Sequence, residues 1–96
     1  MSLIVVGYDW CNYYQDTCKW LDAGGHSFSQ VLCENRVDLK SKCREICRHC
    51  PVLGVAGATS PQIFRRDTDR IICLGGHDDL MEIGVSNVLT WLPLKF

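Results

Sequence analysis

Near the start of the chain, Leu3-Ile4-Val5-Val6 runs without a polar interruption, the pattern of a short strand covered on both faces of a sheet. After a loop over 7–10, Cys11-Asn12-Tyr13-Tyr14-Gln15-Asp16-Thr17-Cys18-Lys19-Trp20-Leu21 puts Tyr14, Thr17, Cys18 and Leu21 on one face and stops at Gly24-Gly25, which predicts a helix. Residues 26–33 alternate, with Phe28, Val31 and Leu32 as the apolar contacts of a second strand. A second helix is expected from Asn35 as N-cap, with Asp38 three residues on, through Leu39, Cys43, Ile46 and Cys47 to a stop at Pro51. A small-residue connection over 52–58 leads to a proline-led strand. Strands over 62–65 and 70–74 flank a charged turn, and two short helices follow, over 78–83 with acidic residues in its first turn and over 86–91 with Ser86 as cap.

The order βαβα, then ββα with a small extra helix, describes an α/β domain with a four-stranded mixed sheet and helices on both sides. At 96 residues the chain has room for one domain, over 1–96, with one core. Ten basic and eleven acidic side chains are mixed along it, so no basic stripe argues for nucleic acid or an anionic membrane. No apolar run approaches the 18 or so residues of a membrane span; the stretch over 88–94 is short and interrupted by Pro93. Seven cysteines would suggest a disulfide framework in a small secreted protein. The first seven residues lack a basic region and carry too short an apolar run for a signal peptide, so the expected compartment is the cytoplasm, with reduced thiols.

Cys11 is the strongest candidate for chemistry. A thiol at a strand-to-helix junction lies by unpaired backbone N–H groups and the positive end of the helix dipole, which favour the thiolate and hence nucleophilicity. The plain alternative is a small buried hydrophobe. A second feature, Cys43-Arg44-Glu45-Ile46-Cys47-Arg48-His49-Cys50, brings positions 43, 47 and 50 to one helix face. Packing is its leading reading, with a zinc or other metal site involving His49, or redox cross-linking and oligomer contacts, as alternatives. Burial is the first reading of Cys33 and Cys73.

The segment Ala58-Thr59-Ser60-Pro61-Gln62-Ile63-Phe64, answered by Leu74-Gly75-Gly76-His77-Asp78-Asp79-Leu80, resembles the C-terminal half of a glutaredoxin. Cys11-Asn12-Tyr13-Tyr14 is similar to the active site of that family, usually C-P-Y-C, and the motifs fall in matching order across nearly the whole chain. The resemblance implies a thioredoxin-like fold and a redox-active centre serving electron transport with glutathione as co-substrate. It implies Cys11 as catalytic nucleophile and a glutathione groove formed by Tyr13, Thr59, Ser60, Pro61, Gly76, His77 and Asp78. The Ser60-Pro61 bond would be cis, turning Ser60 toward the cysteine to pair with the cysteinyl part of glutathione like an added strand. Backbone N–H groups after Gly75-Gly76 would hold the γ-glutamyl carboxylate, Asp78 would meet its amine, and His77 would supply backbone contact only.

Two departures shape the expected activity. Tyr14 stands where the family has its resolving cysteine, and Cys18, seven residues from Cys11, lies about 10 Å along the helix, beyond disulfide reach. A monothiol oxidoreductase is therefore expected, acting on glutathionylated or disulfide-bonded proteins, as a monomer and without a metal. Tyr8, with Asp9 beside it, replaces the lysine that many members use to bind the glycyl carboxylate of glutathione. The alternative is a binding module of the same fold with little turnover, recognising a protein or a metal. Two loops, over 52–58 and 65–70, look longer than in short glutaredoxins and are the places where partner choice is commonly set.

Overall fold

The computed structural model of the chain describes residues 2–47 and 60–91. Its first strand, β1 (Ser2–Gly7), is central: it pairs in parallel with β2 (Phe28–Leu32) on one side and antiparallel with β3 (Gln62–Arg66) on the other. β4 (Ile71–Gly75) pairs antiparallel with β3 and completes a four-stranded mixed sheet of order β2-β1-β3-β4. The unbroken apolar run of β1 has a direct cause. Leu3 and Val5 face one layer of side chains, with Tyr14 and Leu21 of helix α1 (Asn12–Ala23) and Leu80 and Ile83 of helix α3 (His77–Ile83). Ile4 and Val6 face the other, with Leu39 and Cys43 of helix α2 (Arg36–Ile46). The same alternation sends Ile63, Ile72 and Leu74 to the α1/α3 side and Phe64, Ile71 and Cys73 to the α2 side.

The helix ends follow their sequence signals. At the end of α1, Gly25 N–H donates to Asp22 O and His26 N–H to Leu21 O, with Gly25 at φ +78°, a left-handed glycine closure. At the start of α2, the Asn35 side chain accepts from Asp38 N–H, while the Asp38 carboxylate accepts from Glu34 N–H, both at 2.9 Å. That second bond, followed by Lys42 at 3.3 Å, holds the Asp38 carboxyl below the usual range.

Several boundaries differ from the sequence expectation. α2 ends at Ile46, and Cys47 is already extended, so the helix does not carry Cys47 on toward Pro51. Leu32 faces outward rather than packing. The expected helix over 86–91 is only a single 3₁₀ turn, Val85–Asn87, entered through Gly84 at φ +87° rather than capped by Ser86. The turn after α3 is tied back to the sheet. Arg65, 2% exposed on β3, donates from Nη1 to Val88 O at 2.9 Å and to Trp91 O at 2.8 Å. The Asn87 side chain donates back to Ile83 O, closing the end of α3. Arg65 thus belongs to the core and not to the turn over 65–70. Its remaining charge is met by Asp67, with Nε at 2.9 Å and Nη2 at 3.2 Å from the two carboxylate oxygens. The connection over 52–58 lies outside the described residues.

Because Arg65 is buried, removing its counter-charge leaves an uncompensated cation. Asp67→Asn is expected to lower unfolding free energy by ~2 kcal/mol, read by urea denaturation near neutral pH. The Asp67 carboxyl is held low first by its hydrogen bond from Arg65. A depressed folded value means that its contribution is fully present above about pH 4 and is lost as pH falls further. Wild type should therefore lose stability more steeply on acidification than Asp67→Asn; parallel pH profiles would refute this.

Candidate functional site

Cys11 is the N-cap of α1. Its N–H donates to Tyr8 O at 3.1 Å, which closes the loop after β1, and its carbonyl accepts the first helical bond, from Gln15 N–H at 3.0 Å. The backbone is thereby fixed on both sides of the thiol, and the partly exposed sulfur lies beside the first turn of α1, whose leading N–H groups have no acceptor within the helix.

The Ser60-Pro61 segment meets this loop from β3. The Ser60-Pro61 peptide bond is cis, the Ser60 carbonyl lies 3.7 Å from Cys11 Sγ in position to accept the thiol proton, and Ser60 Oγ accepts from Tyr8 N–H at 3.1 Å. Both backbone and side chain of Ser60 therefore hold the loop that carries the cysteine. Gly7, the last residue of β1, makes this approach possible. A Cβ there would collide with Ser60 Oγ and the Tyr14 ring and would lie 3.3 Å from Pro61 Cα.

The second wall comes from β4 and α3. Gly75, at φ +92°, has Asp79 where a Cβ would stand, and the Asp79 carboxylate reaches back to Gly76 N–H at 2.9 Å. That amide is occupied from within the protein. His77 does more than supply backbone: its ring lies 5.2 Å, centroid to centroid, from that of Tyr13, joining the first turn of α3 to the first turn of α1. Its Nδ1 is 3.2 Å from Asp78, whose side chain is otherwise in solvent. Cys11, Tyr13, Ser60, Pro61, Gly76, His77 and Asp78 are thus linked by two contacts, Ser60 to Cys11 and Tyr13 to His77. Thr59 lies outside the described residues.

The other polar groups nearby are packed away. Tyr14, in the third position after Cys11, is buried; its hydroxyl donates to Gln30 Oε1 at 2.7 Å, and burial pushes its ionisation far above the ordinary tyrosine value. Burial also pushes the Cys18 and Cys33 thiols up, so both stay protonated at neutral pH. Cys33, Cys43, Cys47 and Cys73 share the layer beneath α2 with Leu39 and Phe64. Among the described residues no group of three or more His, Cys, Asp or Glu side chains could hold a metal ion, and Cys50 and His49 lie outside those residues. No helix among them is long and apolar enough to cross a membrane.

Three contributors escaped sequence reasoning: Gly7, the Tyr8 N–H and the ring of His77. Only Gly7 carried a signal, as a glycine closing an otherwise bulky strand. On the loop, Tyr8 and Trp10 stack with ring centroids 4.9 Å apart and planes 3° from parallel, which leaves Trp10 68% exposed beside the cysteine.

Gly7→Ala should cost ~1–3 kcal/mol of stability through overpacking. Gly25→Ala, with open space around the added carbon but φ at +78°, should cost only ~1 kcal/mol for the left-handed backbone. Denaturant midpoints decide it: equal losses would mean that the convergence at Gly7 has room to relax.

The chain matches none of the known family models and none of the curated proteins with which it was compared.

Proposed function

We propose that the protein is a thioredoxin-like domain of the glutaredoxin family, acting as a glutathione-dependent monothiol oxidoreductase with Cys11 as its nucleophile. The observation that carries this reading is the meeting of Cys11 Sγ with Ser60 O at 3.7 Å, across a helix N-cap on one side and the Ser60-Pro61 segment on the other. Supporting it, α1, β3 and α3 approach one another at the Tyr13–His77 and Cys11–Ser60 contacts, as a groove for an extended tripeptide requires.

In the reaction, the Cys11 thiolate attacks the glutathione sulfur of a protein–glutathione mixed disulfide. The protein sulfur leaves with the electron pair of the broken S–S bond and takes up a proton, while Cys11 becomes bound to glutathione. A second glutathione thiolate then attacks the glutathione sulfur of that disulfide, returning Cys11 as thiolate and leaving as oxidised glutathione. The first-turn N–H groups of α1 stabilise the anionic sulfur in both steps. Tyr14 offers no second thiol and Cys18, seven residues from Cys11, lies about 10 Å along α1, so the resolving sulfur comes from solution.

Reduction of a glutathionylated peptide, coupled to glutathione reductase and NADPH, tests the reading. Wild type should turn over, Cys11→Ser should fall to the uncatalysed rate, and Cys18→Ser should keep wild-type activity within about twofold, since a half-buried thiol away from the exchange contributes little. Folded wild-type protein that fails to turn over would exclude the enzyme.

A further inference from the structure

The loop carrying Cys11 borders a second surface, unused by the reaction above. Between Asp9-Trp10 and the first turns of α2 lies an open groove of about 950 Å³ whose lining includes Trp10, Leu32 and Val37. These are three of the large apolar side chains most exposed in the described structure, at 68%, 48% and 78%. A contiguous set of this kind, in place of scattered single residues, marks an interaction surface. Asp9, Glu34 and Asp38 share the lining.

The charges are arranged unequally. Asp38 is held by Lys42 at 3.3 Å, and the same ammonium donates to Leu32 O at 2.7 Å, so the one cation in the lining among the described residues is engaged twice. Among the described residues, the carboxylates of Asp9 and Glu34 enter no ion pair. Arg36 stands near Tyr8 but does not line the groove. The surface is thus apolar in its middle with net negative charge around it, and it begins one residue before the nucleophile. An anionic occupant, including a glutathione carboxylate, is disfavoured there.

We propose that this groove is a docking site for a polypeptide substrate that presents an aliphatic side chain beside lysine or arginine, laid across Trp10, Leu32 and Val37 with its cations toward Asp9 and Glu34. It rests on the Cys11 reading only for what happens after docking, and the binding itself needs no thiol chemistry. Because Lys42 already takes the Leu32 carbonyl, recognition falls to side chains, without extension of the sheet beyond β2 at that end.

The test uses the full chain and three short fluorescent peptides: leucine flanked by lysines, leucine flanked by glutamates, and alanine flanked by lysines. Fluorescence anisotropy at low and physiological salt should show the first binding at least about fivefold tighter than either other, with the charge preference shrinking as salt rises. Val37→Asp should weaken the first peptide by about fivefold or more, and Asp9→Lys with Glu34→Lys should reverse the charge preference, circular dichroism confirming the fold of each variant. All three positions are exposed, which keeps the variants foldable. Cys11→Ser should bind like wild type. Equal affinity for the lysine and glutamate peptides, no detectable binding, or no effect of Val37→Asp would overturn the docking site. So would a self-association seen by analytical ultracentrifugation and abolished by Val37→Asp, since a second copy would then fill the groove. Lost turnover with intact peptide selectivity would sink the Cys11 reading alone; intact turnover without selectivity would sink the docking site alone.

Discussion

The geometry of the thiol depends on a close approach that only a glycine allows. At Gly7 the end of β1, the Ser60-Pro61 segment and the ring of Tyr14 converge so tightly that a single added carbon would strike two of them. This removes the usual freedom of a strand-to-helix loop. With Ser60 Oγ on Tyr8 N–H and Cys11 N–H on Tyr8 O, the loop is held at two points within three residues of the sulfur. Rigidity at a nucleophile is worth more than its hydrogen bonds alone, because positional error is what an oriented displacement tolerates least.

Most of the architecture was legible from the chain because its local and global signals agree. The all-apolar β1 run is explained by the two layers it divides, the Asn35 cap and Gly24-Gly25 closure lie where expected, and the cysteines under α2 pack as small hydrophobes. What the chain did not announce was a long-range partner. Residues 86–91 have no local feature announcing that their carbonyls belong to Arg65, more than twenty positions earlier. A charged residue before a charged turn reads as solvent-facing, and only the fold reveals that strand parity carries it inward. Within the site, the types Cys11, Ser60-Pro61 and Gly75-Gly76 were readable. The ring contact of His77 with Tyr13 was not, since it joins two helices whose relative placement no spacing encodes.

Arg65 also ties the chain end to the sheet that carries the site. β3 follows directly on Pro61 and carries Arg65 near its tail, and the alternation that turns Arg65 toward Val88 O turns Ile63 into the same core layer as Leu80 and Ile83. α3 is therefore fixed from two directions, by apolar packing along its body and by the arginine-bound turn after it. A helix of seven residues gains little from intrinsic propensity and owes its position to such tertiary contacts. Its first turn can then present His77 to Tyr13 without a long helix behind it.

The single-thiol character of the centre follows from packing as much as from sequence identity. Tyr14 fills space against Gly7 and anchors its hydroxyl on Gln30 of β2, so a cysteine there would lose a core ring and its hydrogen bond together. The position that could hold a resolving thiol is committed to the core, and Cys18, one turn further on, lies about 10 Å along the helix from Cys11, beyond disulfide reach. Under the proposed chemistry, the mixed disulfide on Cys11 can be resolved only by a thiol from outside. Selectivity then rests on what can reach the sulfur and what its surroundings attract. With carboxylates at Asp9 and Glu34 and exposed aromatic surface at Trp10, the two proposals together would place a cationic polypeptide on that side in the first exchange, with the glutathione moiety of the mixed disulfide lying toward Tyr13 and His77.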